Sequence, residues 1–416
     1  MFAKLIVFQS CMIYRKFKAD YLFTGHRMLD HDQVLVTSED GVVEDIIPIG
    51  EATDKVETYS GILCPGFINC HCHLELSHLR GLIPEHTGLT DFVFKVITQR
   101  HFGEQEIRDA IALAEDEMLA GGIVGVGDIC NNVFSFTQKQ KQILAYYNFI
   151  EASGWLPEVA ATRFEKNKLH YNEFAQLPSH EDFLAMAPHA SYSVSDKLWQ
   201  LLGPYFKNKT TSIHNQETAA EDELFKSGTG DLLRMYDRLK IDNSFFRPFG
   251  KSSLQTYLPR LEGAKNVLLV HNSYTREEDL KYCRQFEKGT GKESTAAPAS
   301  FKIFFCLCVN ANQYIENTLP PIELFRKYGC SLVLGTDSLA SNHSLSIVDE
   351  IKTIRRHFPA LPLPEILGWA TINGARALQM DTIYGSFEPG KQPGILLIEN
   401  SDGQNMNADS CVRRIL

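Results

Sequence analysis

Residues 62–74, ILCPGFINCHCHL, form a short apolar run that ends in two histidines, His71 and His73. Seven similar runs follow, separated by stretches with helical periodicity such as EQEIRDAIALAEDEMLAG (104–121) and SLSIVDEIKTIRRHF (344–358). Short apolar strands that alternate with amphipathic helices are typical of a mostly parallel sheet. The seven further runs are GIVGVGDIC (122–130), ILAYYNFI (143–150), FLAMAPHA (183–190), TTSIHNQ (210–216), NVLLVHN (266–272), FKIFFCLCV (301–309) and CSLVLGTDS (330–338).

The number and spacing of these runs predict the fold. Their strand-end residues recur at an average interval of about 38 residues, enough for a strand, a helix and two loops. Eight such units predict an α/β fold of the TIM-type (β/α)8 barrel class, for which roughly 250 residues are typical. A doubly wound open sheet is the alternative. The strand-end residues are His73, Asp128, Ile150, His189, His214, His271, Cys308 and Asp337.

The two ends of the chain have a different pattern. Residues 13–60 and the segment from GSFEPGKQPGILLIEN (385–400) to CVRRIL (411–416) alternate apolar and polar residues around glycine turns, which is typical of short antiparallel strands. We therefore expect a small β-sandwich domain formed from both termini, residues 1–62 and 381–416, around a barrel of residues 63–380.

Composition narrows the class of protein. The net charge of −10, without a basic block, argues against nucleic-acid and anionic-membrane partners and favours a small-molecule substrate. Ten cysteines, several of them in apolar runs, indicate reduced thiols and a cytoplasmic protein. The sequence contains no run of 18 apolar residues, so we expect no membrane-spanning helix. Met12 is an alternative start, with residues 1–11 as an upstream extension.

His71 and His73 are the first candidate metal ligands. Alternate side chains of a strand share a face, so the two imidazoles point the same way from Cα atoms roughly 6.6 Å apart. Cys70 and Cys72 are then expected on the opposite face, which argues against a Cys-His-Cys-His zinc knuckle. Because the C-terminal ends of barrel strands open on one face, we expect other strand-end residues to join this site.

Three later strand ends supply further candidates. His214 ends the fifth run, and Glu217 reaches the same site only if the chain turns after His214; otherwise Glu217 belongs to a solvated helical face. His271 and Asp337 complete a set of imidazoles and one carboxylate that suits Zn²⁺ or a neighbouring first-row ion. Asp337, which precedes Ser338, has a helix N-cap as its alternative role.

These motifs together resemble the amidohydrolase superfamily, in the mononuclear branch of deaminases and chlorohydrolases. The resemblance rests on Pro65-Gly66-Phe67-Ile68-Asn69-Cys70-His71-Cys72-His73, Ser212-Ile213-His214-Asn215-Gln216-Glu217-Thr218, Val270-His271 and Leu334-Gly335-Thr336-Asp337, and it covers nearly the whole chain. Two departures are Cys306-Leu307-Cys308, where relatives often carry Cys-Pro, and Pro393-Gly394, where they usually carry Ala-Asp.

The resemblance implies a role for each candidate. His71, His73, His214 and Asp337 would bind one divalent metal ion, zinc first and iron or manganese as alternatives. Glu217 would be the proton shuttle, His271 would contact the activated water or the substrate, and Asp337 would also accept the water proton. No lysine stands at position 189, where binuclear relatives carry a carboxylated one, which implies a single metal. His189 would then bind substrate or serve structurally.

The implied function is metal-dependent hydrolysis of C–N bonds. The particular reaction implied is the deamination of a purine-like heterocycle by a metal-activated hydroxide. His73-Leu74-Glu75-Leu76-Ser77-His78 is similar to the aminodeoxyfutalosine deaminases, and Glu75 and His78 would line the pocket or brace a loop. Guanine, adenosine-type and pterin substrates stay open. The alternatives are a chlorohydrolase or cyclic-amide hydrolase, or a catalytically silent scaffold. The family also implies a homodimer.

Two glycine-rich segments fail as nucleotide-binding motifs. Gly122-x-x-Gly125-x-Gly127 runs into Asp128-Ile129-Cys130 without a dinucleotide fingerprint. Gly289-Thr290-Gly291-Lys292, within the loop-like stretch 287–300, is followed by Glu293 rather than Ser or Thr, so it is not a P-loop.

Overall fold

The computed structural model describes residues 14–53, 55–178, 183–287 and 301–416. The alternative start at Met12 and the Gly289–Lys292 segment lie outside the described residues. The strands are β1 (Tyr14–Lys18), β2 (Tyr21–Phe23), β3 (Met28–Leu29), β4 (Gln33–Ser38), β5 (Val43–Pro48), β6 (Glu57–Thr58), β7 (Ile62–Pro65), β8 (Phe67–Cys72), β9 (Ile123–Cys130), β10 (Ala145–Ala152), β11 (Leu184–Pro188), β12 (Thr210–Asn215), β13 (Asn266–His271), β14 (Lys302–Leu307), β15 (Ser331–Leu334), β16 (Ile395–Ser401) and β17 (Met406–Arg414).

Helices occupy most of the segments between the central strands. The helices are α1 (Leu89–Gln99), α2 (Glu104–Ala120), α3 (Phe136–Lys139), α4 (Ala160–Phe174), α5 (Asp196–Leu202), α6 (Ala219–Ser227), α7 (Asp231–Arg238), α8 (Ser253–Tyr257), α9 (Glu277–Glu287), α10 (Val309–Glu316), α11 (Ile322–Lys327), α12 (Ile347–His357), α13 (Leu363–Gly368) and α14 (Gly374–Ala377). None of the helices in the described ranges has the length and apolar character needed to cross a bilayer.

All eight apolar runs form strands, β8 to β15, as the sequence predicts. They make two four-stranded parallel sheets, in the orders β11-β10-β9-β8 and β12-β13-β14-β15. At one junction the amide of His214 donates to the carbonyl of His189 at 2.9 Å, and at the other the amide of Asp337 donates to the carbonyl of His71 at 3.0 Å. The C-terminal strand ends of both sheets therefore meet in one region.

Two apolar layers hold these strands. One cluster joins strand residues of both sheets, such as Ile68 and Phe149 from one and Leu268 and Phe304 from the other. A larger cluster packs the outer faces of the strands against the helices. In α2, for example, buried residues recur every three or four positions, so one helix face meets the sheet while the charged face meets solvent. These layers fix where each strand ends.

The chain ends form two further sheets. Their strand orders are β5-β4-β1-β6 and β17-β16-β7-β2-β3, and the C-terminal strand β16 pairs antiparallel with β7. Phe17 and Leu35 from the first sheet pack with Leu63 and Leu397 from the second. Strands from both termini thus share one sheet and one small core, and β8 starts two residues after β7 ends.

The expected placement of Cys70 and Cys72 on one common face is wrong. Both thiols are buried, but Cys70 packs in the cluster between the two sheets and Cys72 in the outer cluster. The pairing of β8 with β9 changes register between Asn69 and Cys72, which breaks the strict alternation assumed for a regular strand.

Candidate metal centre and active site

Four side chains from three distant parts of the sequence converge at the C-terminal strand ends. The Nε2 atom of His73 lies 3.1 Å from Nε2 of His71 and 3.3 Å from Nε2 of His214. Oδ1 of Asp337 lies 3.4 Å from Nε2 of both His71 and His73. All four residues are buried, and their ligand atoms lie within 4.8 Å of one another. The structure thus brings together the predicted metal-binding residues.

The donor set fits a single tetrahedral ion. Two ligands that each lie ~2.1 Å from such an ion are about 3.4 Å apart, which agrees with the separations above. Nδ1 of His214 donates to the carbonyl of His189 at 2.8 Å, so the lone pair of His214 is on Nε2 and faces the other imidazoles. Lone pairs that face each other at this distance repel unless a cation lies between them. The four residues can therefore hold a divalent metal.

Burial sets the charges of this cluster. It lowers the pKa of His73 and, more strongly, that of His214, where the neighbouring imidazoles add to the effect. Burial alone would raise the pKa of Asp337, but its close contacts with His71 first, and then with His73 and His271, hold that pKa well below its usual range. Neutral imidazoles and one carboxylate are the protonation states that bind a divalent metal.

Glu217 and His271 lie beside this cluster. Oε1 of Glu217 is 3.6 Å from Nε2 of His271, whose Nδ1 is 2.8 Å from Oδ1 of Asn312. Burial lowers the pKa of His271 to about 4. Burial, followed by the charges of Asp337 and Glu221, raises the pKa of Glu217 well above its usual range, which favours the protonated form of this carboxyl. It can serve as a proton donor.

Left-handed backbone conformations help to place the side chains of Glu217, His271 and Asp337. Gln216 has φ 44°, His271 has φ 73° and Asp337 has φ 57°. Such angles cost of order 1–3 kcal/mol each outside glycine and concentrate at functional sites. At Gln216 the left-handed turn follows β12 directly, and Glu217 reaches the site from beyond it, as the sequence argument requires. The backbone amide of Glu217 also donates to Oε1 of Glu221 at 3.0 Å.

A cavity of about 410 Å³ opens onto this cluster. His73, His214, His271, Glu217 and Asp337 lie at its inner end. Its outer wall is formed by apolar side chains of α1 and α7, by Trp155, and by three cations. The residues of this outer wall include Leu89, Phe92, Trp155, Tyr236, Arg100, Arg163 and Lys166. The volume is in the range of sites that hold a small organic ligand.

The predicted substrate-binding residues divide into two groups. His189 lines the cavity. Glu75 and His78 are not among its lining residues: Oε2 of Glu75 accepts from the backbone amides of Asn131 and Asn132 at 2.9 and 3.1 Å, and Nε2 of His78 lies 3.2 Å from the carbonyl of Arg100. Burial raises the pKa of Glu75 to about 8. The contacts of Glu75 agree with the second expectation for this residue, that it holds a loop in place.

Asp128, a predicted strand-end marker, lies within β9 and not at the cavity. Its Oδ2 accepts from Nζ of the buried Lys139 at 2.5 Å, and its Oδ1 accepts from the amide of Leu74 at 2.8 Å. The pair fixes the backbone next to His73. Sequence reasoning missed Lys139, because an isolated lysine in a polar stretch looks solvent-exposed.

The strand-end pattern of the sequence also left out Glu151. It is the penultimate residue of β10, it is 5% exposed, and it lines the cavity. The signal was present in the run AYYNFIEA, where a single carboxylate lies near the end of a mostly apolar strand.

Comparison with known proteins identifies the class. The sequence profile of the Amidohydrolase family matches residues 62–414. The chain therefore belongs to the amidohydrolase family, and the predicted family is confirmed.

Individual relatives are deaminases by name. The chain is 25% identical over 402 residues to the 5-methylthioadenosine/S-adenosylhomocysteine deaminase of Teredinibacter turnerae, covering 91% of this chain and 81% of that protein. Among solved structures it is similar to Helicobacter pylori aminofutalosine deaminase in complex with methylthio-coformycin, with a TM-score of 0.76, 22% identity and coverage of 94% and 93%. An adenosine deaminase from Xanthomonas campestris with bound zinc has a TM-score of 0.66, 22% identity and coverage of 93% and 85%. The chain is a metal-dependent hydrolase of the deaminase type, as predicted.

Proposed function

We propose that the protein is a zinc-dependent aminohydrolase that deaminates a 6-aminopurine nucleoside. The observation that carries this proposal is the pairing of a three-histidine, one-aspartate cluster with the buried carboxyl of Glu217, whose pKa is raised, at the inner end of a ligand-sized cavity. Iron and manganese are the alternatives to zinc, since imidazole and carboxylate also bind them.

The residues divide the reaction between them. His71, His73, His214 and Asp337 would hold the ion, which would supply hydroxide near neutral pH because a bound divalent ion can lower the pKa of water to about 7. Asp337 accepts the proton of that water. Glu217 donates its proton to a ring nitrogen next to the amine-bearing carbon, which makes that carbon electrophilic. As the C–N bond breaks, the proton held by Asp337 passes to the departing amine. Glu217 then takes up the proton of the added hydroxyl group, which helps the amine leave and restores the protonated carboxyl. One C–O bond forms, one C–N bond breaks, and ammonia leaves.

His271 orients the attacking oxygen. Its Nδ1 faces the side-chain oxygen of Asn312, which makes Nδ1 the donor and leaves the Nε2 lone pair toward Glu217 and the cavity. Because burial keeps the ring neutral, His271 can accept a hydrogen bond from the attacking water without competing for its proton. We propose that His189 contacts the substrate, whereas Glu75 and His78 hold the loops behind the site.

The outer wall indicates the substrate class. Apolar side chains such as Phe92 and Trp155 suit a flat heterocycle and an apolar extension, and Arg100, Arg163 and Lys166 place positive charge at the far end. The relatives named above are deaminases of adenosine derivatives. We therefore propose an adenosine-type nucleoside with a 5′ substituent that ends in an anionic group.

A substrate panel tests this function. The metal-loaded protein would be assayed for ammonia release from adenosine, 5′-deoxyadenosine, 5-methylthioadenosine, S-adenosylhomocysteine, aminodeoxyfutalosine, guanine and a pterin. We expect the 5′-substituted adenosines to be deaminated fastest. If no purine nucleoside releases ammonia while a chlorotriazine releases chloride or a cyclic amide opens, the chlorohydrolase or cyclic-amide alternative replaces the proposal.

Further predictions concern the whole chain. We propose that β8 to β15 close into one TIM-type barrel within residues 63–380. Residues 1–62 and 381–416 then form the small β-sandwich domain. We also propose that the protein is a cytoplasmic homodimer. Light scattering coupled to size exclusion would test the dimer, and fractionation of the source cells would test the location.

A further inference from the structure

Glu151 has one carboxylate oxygen fixed by the protein and the other without a partner. Oε2 accepts from Nδ2 of Asn131 at 2.7 Å, and the backbone carbonyl of Glu151 accepts from Nδ2 of Asn167 at 2.5 Å. Oε1 is buried and has no hydrogen-bond partner among the described residues. Since an unpaired buried acceptor is costly, such an atom next to a ligand cavity calls for a donor from the ligand.

A second metal ion is a poor candidate for that ligand. Glu151, His189 and His214 offer ligand atoms within 4.8 Å of one another. However, Nδ1 of His214 already donates to the carbonyl of His189, and Nε2 of His214 faces His73. His214 therefore has no lone pair left, and two remaining ligands are too few for a protein site that binds zinc with three or four.

His189 adds a second acceptor next to Glu151. The hydroxyl of Ser193 donates to the carbonyl of Ala190 at 3.1 Å, so Nδ1 of His189, 2.8 Å from that hydroxyl oxygen, is the donor in their contact. In the neutral ring the lone pair is then on Nε2. Both residues line the cavity, which gives this wall two neighbouring acceptors and suits a ligand with two neighbouring donors.

The position of the pair indicates which part of the substrate it meets. Nε2 of His214 faces the metal-binding cluster, whereas Oε1 of Glu151 lies 3.8 Å from Nδ1, on the opposite edge of the same ring. The reacting carbon must lie beside the cluster. Groups that contact Glu151 therefore belong to a part of the substrate remote from the reacting carbon.

We propose that Glu151, together with His189, determines specificity by accepting hydrogen bonds from the vicinal hydroxyl groups of the substrate's sugar. This inference rests on the proposed nucleoside deaminase function and adds to it the means by which a nucleoside is distinguished from a free base or a deoxynucleoside. Asn131 is a positioning residue, since it holds the other oxygen of the same carboxylate.

The test compares Glu151→Gln with the wild type on matched nucleosides. The substrates are the nucleoside that the wild type deaminates fastest and its 2′-deoxy and 3′-deoxy analogues. The wild type should prefer the full sugar, and Glu151→Gln should reduce that preference in kcat/KM by about 10–100-fold, the usual loss for a hydrogen bond to a charged group. Metal content, measured in parallel, should equal that of the wild type.

Glu115→Gln is the matched control. Glu115 is also a fully buried carboxylate, but it bonds to Gln138 and Tyr146 and does not line the cavity. The control should keep the wild-type preference for the full sugar. If Glu151→Gln also keeps that preference while the wild type deaminates nucleosides, the inference is overturned and the proposed function stands. If the wild type deaminates no purine nucleoside, the proposed function fails and the inference fails with it.

Discussion

The inner end and the outer wall of the cavity are built differently. The inner end consists of residues at or just beyond strand ends, such as His73, His214 and Asp337. All three are buried, and hydrogen bonds to the protein hold His214 and Asp337. The outer wall consists of helix and loop side chains, and its charged members Arg163 and Lys166 are exposed to solvent. The reacting groups therefore lie in the buried part of the cavity, and the charged groups of the outer wall lie at the solvent.

This difference separates reaction from recognition. A change at the inner end should act on kcat, because those groups contact the reacting atoms. A change in the outer wall should act on KM and on the choice of substrate, because it removes binding that is equal in ground and transition states. The following experiments test the two parts of the cavity through kcat, stability and KM.

Glu217→Gln should have the largest effect. The amide keeps the size of the side chain but cannot transfer a proton, so kcat should fall by about 10²–10⁴-fold. Bound metal, measured by elemental analysis, should match that of the wild type because Glu217 is not a ligand. A variant that retains wild-type kcat would break the assignment of the proton shuttle to the inner end.

Glu221→Gln should change the pH dependence of stability. Burial raises the pKa of Glu221 to about 7 in the folded protein, against about 4.5 unfolded. The native state therefore binds more protons between these values, and the free energy of unfolding should decline as pH rises from 4.5 to 7. Between pH 5 and pH 8 the fall in the free energy of unfolding, measured by urea denaturation, should be roughly 1–3 kcal/mol smaller in the variant than in the wild type. An equal fall in both proteins would contradict the raised pKa of Glu221.

Arg163→Ala should have the smallest effect, on KM. An exposed cation contributes modestly, so KM for an anionic 5′-substituted nucleoside should rise about 3–10-fold with kcat unchanged. Adenosine, which lacks the anionic group, should be unaffected. Lys168→Ala is the control, because Lys168 is on the same helix α4 but does not line the cavity. A selective fall in kcat would show that the outer wall takes part in the reaction.

The inner end could be predicted from the sequence to a large extent. His71 and His73 lie at the end of one strand, and parallel strands bring His214, His271 and Asp337 to the same edge, so the topology accounts for their convergence. Glu217 needed one further assumption, a turn after His214. The structure places that turn at Gln216, at φ 44°.

The rest depends on contacts that no local pattern encodes. Glu151 is a single charge in an apolar strand, and only the open cavity next to its Oε1 distinguishes it from a buried structural carboxylate such as Glu115. The register change in β8 moves Cys72 away from the face of Cys70. The outer wall draws on α1, α4 and α7, whose relative placement follows from packing over long sequence separations.

Titration of the metal-free protein with zinc tests whether a single ion activates this site. Ammonia release from the best nucleoside substrate should rise in proportion to added zinc up to one equivalent and then stay constant. Asp337→Asn should bind zinc more weakly in the same titration. Full activity without any metal, or a rise that continues to two equivalents, would contradict a single-metal site formed by His71, His73, His214 and Asp337.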